Sequence, residues 1–245
     1  MAIKNLIFDL GGVWLPIDEK RTLAAFAALA GAHSGTAANA AATVAAQALA
    51  ARLQPDVLTY ELGAINDATL LTRLRNALTA AKTAGSPEAQ AAGQPATETA
   101  KAAANAPHAT ETLTDDALIQ AWNAMLLPFP EAHLPLLDAY GQRYRLFLLS
   151  NTNALHIRYV EQDFQSRFPG RKPFLQHFEQ AYLSHELHLR KPQPEIYTHV
   201  LRDAALRPEE TLFIDDRAEN IAAAATLGIR THLHPANTPL TDLQL

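Results

Sequence analysis

The residues of this chain that could do chemistry lie far apart, yet share one setting: each follows an apolar run. Ile3, Leu6, Ile7 and Phe8 form such a run, which stops at Asp9 and is followed by Gly11 and Gly12. A carboxylate placed there is an exposed nucleophile, and the glycines let backbone N–H groups come close to an anion. The same residues also make an ordinary turn. A second run, LFLL at 146–149, stops at Ser150, Asn151 and Thr152, and a third, TLFI at 211–214, stops at Asp215 and Asp216. Lys191 stands some residues beyond a shorter candidate strand at 181–184. Taken singly, Ser150 reads equally as a turn residue, the acidic pair as a helix cap and Lys191 as a solvated lysine.

Bringing these residues together requires a particular architecture. Short apolar runs with few charges are strands buried on both faces, the kind found in parallel sheets. Between them lie helical patterns, including Leu134, Leu137 and Tyr140, then 195–204, then about 219–227, closed by Gly228 before a last strand near 229–233. Repeated βα units of this kind imply an α/β fold, a doubly wound parallel sheet with helices on both faces. The carboxyl ends of its strands share one edge, where residues two hundred positions apart can meet.

One long stretch breaks the alternation. Asp18 is placed to cap a helix starting near Glu19, and from there to about 127 the apolar spacing is helical. Leu23, Phe26, Ala27 and Ala30 share a face, as do Val44, Ala48 and Ala51, with Leu49 and Leu53 beside them. Leu70, Leu71, Leu74 and Leu78 repeat the pattern, and so do Leu118, Ala121, Trp122 and Met125. Trp122 and Met125 read as core. Residues 79–112 hold thirteen alanines and no Val, Ile, Leu, Met or aromatic, so they bury too little to offset ordering and are expected to be mobile. The division is therefore a core of 1–16 and 128–245 around a helical insert of 17–127.

Composition removes several classes of function. The formal net charge is -5 and no basic stripe is present, which excludes a general nucleic-acid binder. With no cysteine there is no disulfide, thiolate metal site or Cys nucleophile. No run of about eighteen apolar residues occurs, and Asp9 interrupts the first one, so the expectation is a soluble, cytoplasmic chain without membrane contact. Oligomeric state is not set by the sequence. His185-Glu186-Leu187-His188 lacks the spacing of a helical zinc site, and His232 and His234 share one face of the last strand.

The motifs closely resemble those of the haloacid dehalogenase superfamily: FDLGGV at 8–13, LLSNTN at 148–153, RKP at 190–192 and FIDDRAENI at 213–221. The resemblance covers both ends of the chain and hardly touches 79–112. It implies a Rossmann-like catalytic core, with the helical insert as a cap domain, and phosphoryl transfer through an aspartyl-phosphate on Asp9. It implies Mg²⁺ held by the side chains of Asp9 and Asp216 and the carbonyl of Gly11, with Asp215 a direct or supporting contributor. Ser150 and the backbone around Leu10 and Asn151 would bind the phosphate, and Lys191 would balance charge on Asp9 and the phosphoryl group. Asn220 falls where many relatives carry another acid, and reads as a supporting or capping residue.

One departure concerns Gly11, because most phosphatases of the superfamily carry a general acid there. Such a group is worth roughly 10² to 10⁴-fold. The Asp-Leu-Gly variant resembles a subgroup that includes sugar-phosphate phosphatases, notably of glucose 1-phosphate, whose anomeric leaving group needs the acid less. His156 is the one histidine placed to substitute. The expected function is a Mg²⁺-dependent phosphomonoester hydrolase acting on a small phosphorylated metabolite. The alternatives are a 2-haloacid dehalogenase, which would need no metal, and a catalytically weak relative that binds a phosphorylated ligand or a protein.

Overall fold

The computed structural model describes residues 1–30, 38–84 and 113–243. The chain makes strand β1 (Asn5–Phe8), then helices α1 (Glu19–Leu29), α2 (Ala38–Glu61), α3 (Asp67–Ala84) and α4 (Asp115–Asn123). It continues through α5 (Leu134–Arg143), β2 (Arg145–Ser150), α6 (Ala154–Arg167), β3 (Gln180–Leu183) and the single turn α7 (Ser184–Leu187). Last come α8 (Pro194–Asp203), β4 (Thr211–Asp215), α9 (Ala218–Ala225) and β5 (Arg230–Leu233). Each strand expected from the apolar runs is present, and β1 starts two residues later than its run.

All pairings are parallel, and the strand order is β3-β2-β1-β4-β5. The chain steps outward from β1 to β3, then returns to the other side of β1, so the order reverses there and opens a crevice at the carboxyl edge. Alternating side chains feed two cores. Leu6, Phe8, Leu146, Leu148 and Ile214 pack with α5 and α6. Ile7, Phe147, Leu149 and Phe213 pack with α8 and α9 on the opposite face. Phe8 lies in register with both Leu148 and Ile214, so Asp9 and Asp215 leave adjacent strands side by side.

Helices α1 to α4 bury a third cluster that includes Phe26, Leu53, Tyr60, Leu70, Leu74, Leu118 and Trp122, joined by Leu155 from α6. Full burial of such a side chain is worth about 1.5–3 kcal/mol, enough to order short helices that would be marginal alone. Asp18 caps α1 by accepting from the Lys20 N–H. The alanine-rich segment begins as helix, since α3 runs to Ala84, and the expected mobility of 85–112 lies outside the described residues, as do the side chains of Val44 and Leu49.

The two crossings between sheet and helices form a short ribbon. Ile17 bridges Leu126 in antiparallel sense, the Asp18 N–H donates to the Met125 carbonyl at 2.8 Å, and the Leu127 N–H donates to the Pro16 carbonyl at 3.0 Å. Asn237 clips this ribbon: its side chain accepts from the Ile17 N–H at 2.8 Å and donates to the Ile17 carbonyl at 3.0 Å. Among the described residues no helix is long and apolar enough to cross a membrane.

Candidate active site

Three strand ends and one loop deliver their polar residues to one place. Asp9 follows β1, Ser150 ends β2, Asp215 ends β4, and Lys191 reaches in from the loop before α8; all four are buried. The Lys191 ammonium donates to Asp9 Oδ1 at 2.9 Å and to Asp215 Oδ2 at 2.6 Å. Asp9 Oδ1 also accepts the Leu10 N–H at 2.7 Å, so both contacts fall on one oxygen and Oδ2 has no hydrogen-bond partner among the described residues. A carboxylate held by one oxygen and free at the other is suited to attack.

Asp215 is an anchor. Its oxygens accept from Lys191, from the Arg217 N–H at 2.8 Å and twice from Asn220 Nδ2, at 2.9 and 3.1 Å. These four contacts fill the acceptor positions of a carboxylate, so the supporting role fits Asp215 better than direct metal ligation. Asn220 is placed by the first turn of α9. Asn151 acts at one remove: its side chain accepts from the Lys191 N–H at 2.8 Å and donates to the Lys191 carbonyl at 2.9 Å, fixing the loop that carries the ammonium.

Oxygen ligands of Asp9, Asp215 and Asp216 lie within 4.8 Å of one another. Three carboxylates around one ammonium leave the site short of positive charge. Burial pushes Asp9 up to about 7; the Lys191 ammonium pulls it down and Asp215 adds to the rise. Burial also raises Asp216, with Asp215 as the second cause. For Lys191, burial favours the neutral form, yet Asp9 and Asp215 outweigh it and hold the ammonium above its ordinary value. Gly12 has φ +78°, and a Cβ there would run into the Asp216 carboxylate. Only glycine gives Asp216 this position.

These groups open into a cavity of about 370 Å³. Its floor includes Asp9, Gly11, Ser150, Lys191 and Asp216, and its opposite wall comes from the helical unit, with Leu23, Phe26, Leu53, Val57, Leu58 and Met125. Ser150 Oγ has no hydrogen-bond partner among the described residues and borders this space. Gly11 borders it too, and a Cβ there would meet Ile17 at ordinary contact distance, 3.4 Å. Trp122 is core, as its spacing suggested, and is also part of the wall.

His156 lines the cavity but does not suit the substitute-acid role. In the tautomer that satisfies both contacts, Nδ1 accepts from Asn153 Nδ2 at 3.1 Å and Nε2 donates to the Trp122 carbonyl at 3.4 Å. Burial lowers its pKa to about 4, so at neutral pH it has no proton to give beyond the one already donated. Sequence reasoning placed the floor residues and missed two features of the wall. One is Glu61, the last residue of α2, which accepts from Arg190 Nη2 at 3.1 Å. The other is the bond from Trp122 Nε1 to Asn153 Oδ1 at 3.2 Å, which ties α4 to the start of α6. Neither pair is close in sequence, and no local pattern announces it.

Comparison with known proteins follows the same lines. D-ribitol-5-phosphate phosphatase of Bacteroides thetaiotaomicron is 35% identical over 123 residues, which are 49% of this chain and 57% of that enzyme. A sesquiterpene phosphatase of Aspergillus oryzae is 39% identical over 57 residues, 23% of this chain and 29% of that enzyme. The matches thus span about half the length of the first curated relative and less of the second. Among solved structures, a HAD family enzyme of Bacteroides thetaiotaomicron is 28% identical with TM-score 0.73, covering 97% of this chain and 96% of that one. Its wild-type complex with magnesium and inorganic phosphate is 29% identical with TM-score 0.70, covering 97% of each chain. The family model described as haloacid dehalogenase-like hydrolase matches residues 3–228, from the strand that presents Asp9 to the glycine that closes α9, and the chain belongs to that family.

Proposed function

We propose that this protein is a Mg²⁺-dependent phosphomonoester hydrolase that works through an aspartyl-phosphate on Asp9. The observation that carries the reading is the Asp9 carboxylate, pinned at Oδ1 by Lys191 and Leu10, clustered with Asp215 and Asp216, and set at the floor of a cavity walled by the helices. The magnesium and phosphate complex of the Bacteroides enzyme supports it. The division into a core of 1–16 and 128–245 and a cap of 17–127 belongs to the same proposal, supported by the separate apolar cluster of the helices.

Mg²⁺ fits the donor set, which is all hard oxygen and lacks compensating charge. Asp9, Asp216 and the Gly11 carbonyl would hold it. When bound it offsets the repulsion between carboxylate and phosphate and stabilises charge on the phosphoryl oxygens. Asp9 attacks phosphorus, the bond to the alcohol oxygen breaks, and the phosphoryl group passes to the carboxylate. Ser150 Oγ donates to a phosphoryl oxygen, and Lys191 balances the charge. The Leu10 N–H, engaged with Asp9 Oδ1 at rest, turns to a phosphoryl oxygen once Asp9 is phosphorylated through Oδ2 and its Oδ1 is an uncharged, weaker acceptor. Water then attacks phosphorus, the aspartyl bond breaks and Asp9 is regenerated. Position 11 supplies no proton, so the departing alkoxide takes its proton from water and good leaving groups react fastest.

The test is phosphate release from a panel of monoesters with Mg²⁺ and with chelator, using wild type and Asp9→Asn. Expected are release in Mg²⁺, its loss on chelation, and a fall of at least about 10³-fold in the variant. Undiminished release by Asp9→Asn, or halide release from a 2-haloacid indifferent to chelator, would overturn the reading.

A further inference from the structure

The geometry points to Glu61 as a specificity-determining residue: by neutralising Arg190 it restricts the cavity to phosphomonoesters whose leaving group carries no charge. This rests on the phosphatase reading and adds the substrate class. Among the described residues three cations border the cavity, and each faces carboxylates. Lys191 is held by Asp9 and Asp215 at 2.9 and 2.6 Å. Arg217 lies 3.6 Å from both Glu19 and Glu219. Arg190, next in sequence to Lys191 and so the nearest further cation along this loop, has its charge matched by Glu61, which accepts from Nη2 at 3.1 Å, while its buried Nε has no hydrogen-bond partner among the described residues. The rest of the opposite wall is largely Leu, Val, Phe and Met.

A second anionic group on the substrate would lose water on entering and meet a lining in which the charges of Lys191 and Arg190 are already matched by carboxylates and Arg217 is exposed to solvent, which is costly. A neutral alcohol meets no such penalty. Other polar groups of the seam are also engaged: Thr22 Oγ1 donates to the Trp122 carbonyl at 3.1 Å and accepts the Met125 N–H at 3.0 Å. Glu61 comes from the helical unit and Arg190 from the sheet loop, so the pair matches wall to floor. Its removal would leave Arg190 to be satisfied by whatever anion the substrate brings.

The experiment compares kcat/KM for matched esters in Mg²⁺: a neutral polyol monophosphate, the corresponding bisphosphate, and a phosphorylated hydroxy acid, with p-nitrophenyl phosphate as reference. Wild type should prefer the neutral ester by about 10-fold or more. Glu61→Gln should shrink that preference by about 5-fold or more, through a lower KM for the anionic esters, and adding Arg190→Gln should restore it. Equal use of neutral and anionic esters by wild type overturns the inference, as does an unchanged ratio in Glu61→Gln or a change that persists without Arg190. If Glu61→Gln does not fold, the wild-type ratio and Glu61→Asp, which keeps the charge and should keep the preference, decide it. No release from any ester, the aryl one included, marks failure of the phosphatase reading instead.

Discussion

At and beneath the floor of the cavity the Lys191 and Asp215 side chains are 1% and 0% exposed, and their contacts come from strand ends, the loops beside them and Asn220 in the first turn of α9. On the opposite wall, Val57 and Leu58 are half-buried, and helices α1, α2 and α4 are held by apolar packing and a few side-chain pairs. The difference is between a geometry fixed by backbone register and one fixed by side-chain volume. Register admits almost no change, because a residue's shift would turn Asp9 to the other face. Packing admits many solutions of similar volume. The floor is thus held to one geometry, while the wall is the part of the molecule free to vary.

The largest effect expected from this contrast comes from Lys191→Met. It leaves Asp9 and Asp215 buried without their shared cation, which typically costs about 3–5 kcal/mol. Denaturant unfolding should record that loss, and a wall substitution such as Val57→Ala should cost far less; equal losses would erase the distinction. Next is Gly11→Asp, whose Cβ would meet Ile17 only at ordinary contact distance. Restoring a proton donor should raise kcat on alkyl phosphates by about 10 to 100-fold and leave activated aryl phosphates nearly unchanged. A uniform effect on both would show that position 11 acts by shape.

The smallest effect concerns the seam. His156 is held neutral, with a folded pKa of about 4 against an ordinary 6.5, so in that interval the unfolded chain binds more protons. Its contribution is complete above about pH 6.5 and lost as pH falls toward 4, by at most about 3 kcal/mol. Unfolding measured at pH 7 and pH 4.5 should show a smaller drop for His156→Asn than for wild type.

How much of this was legible in the sequence follows the same divide. FDLGGV and FIDDRAENI are readable because an apolar strand, a carboxylate and a glycine each impose a local constraint. That Gly11 offers no side-chain proton donor is plain from the sequence, whereas the need for Gly12 emerged only with Asp216 beside it. The wall was not legible, since helical spacing of Leu, Phe and Met is the same for a core and for a cavity lining: Trp122 proved to be both. Glu61 and Arg190 are 129 positions apart, and nothing local marks them as partners.

The ribbon at Ile17 and Leu126 has a bearing on how such a molecule changes over time. The segment that leaves the sheet and the segment that returns are hydrogen-bonded neighbours, and Asn237 grips the outgoing one. Whatever lies between those two points can lengthen, shorten or be exchanged without altering the span the sheet must bridge. The sheet thus has a single hydrogen-bonded doorway, through which the chain both sets out for the helices and comes back.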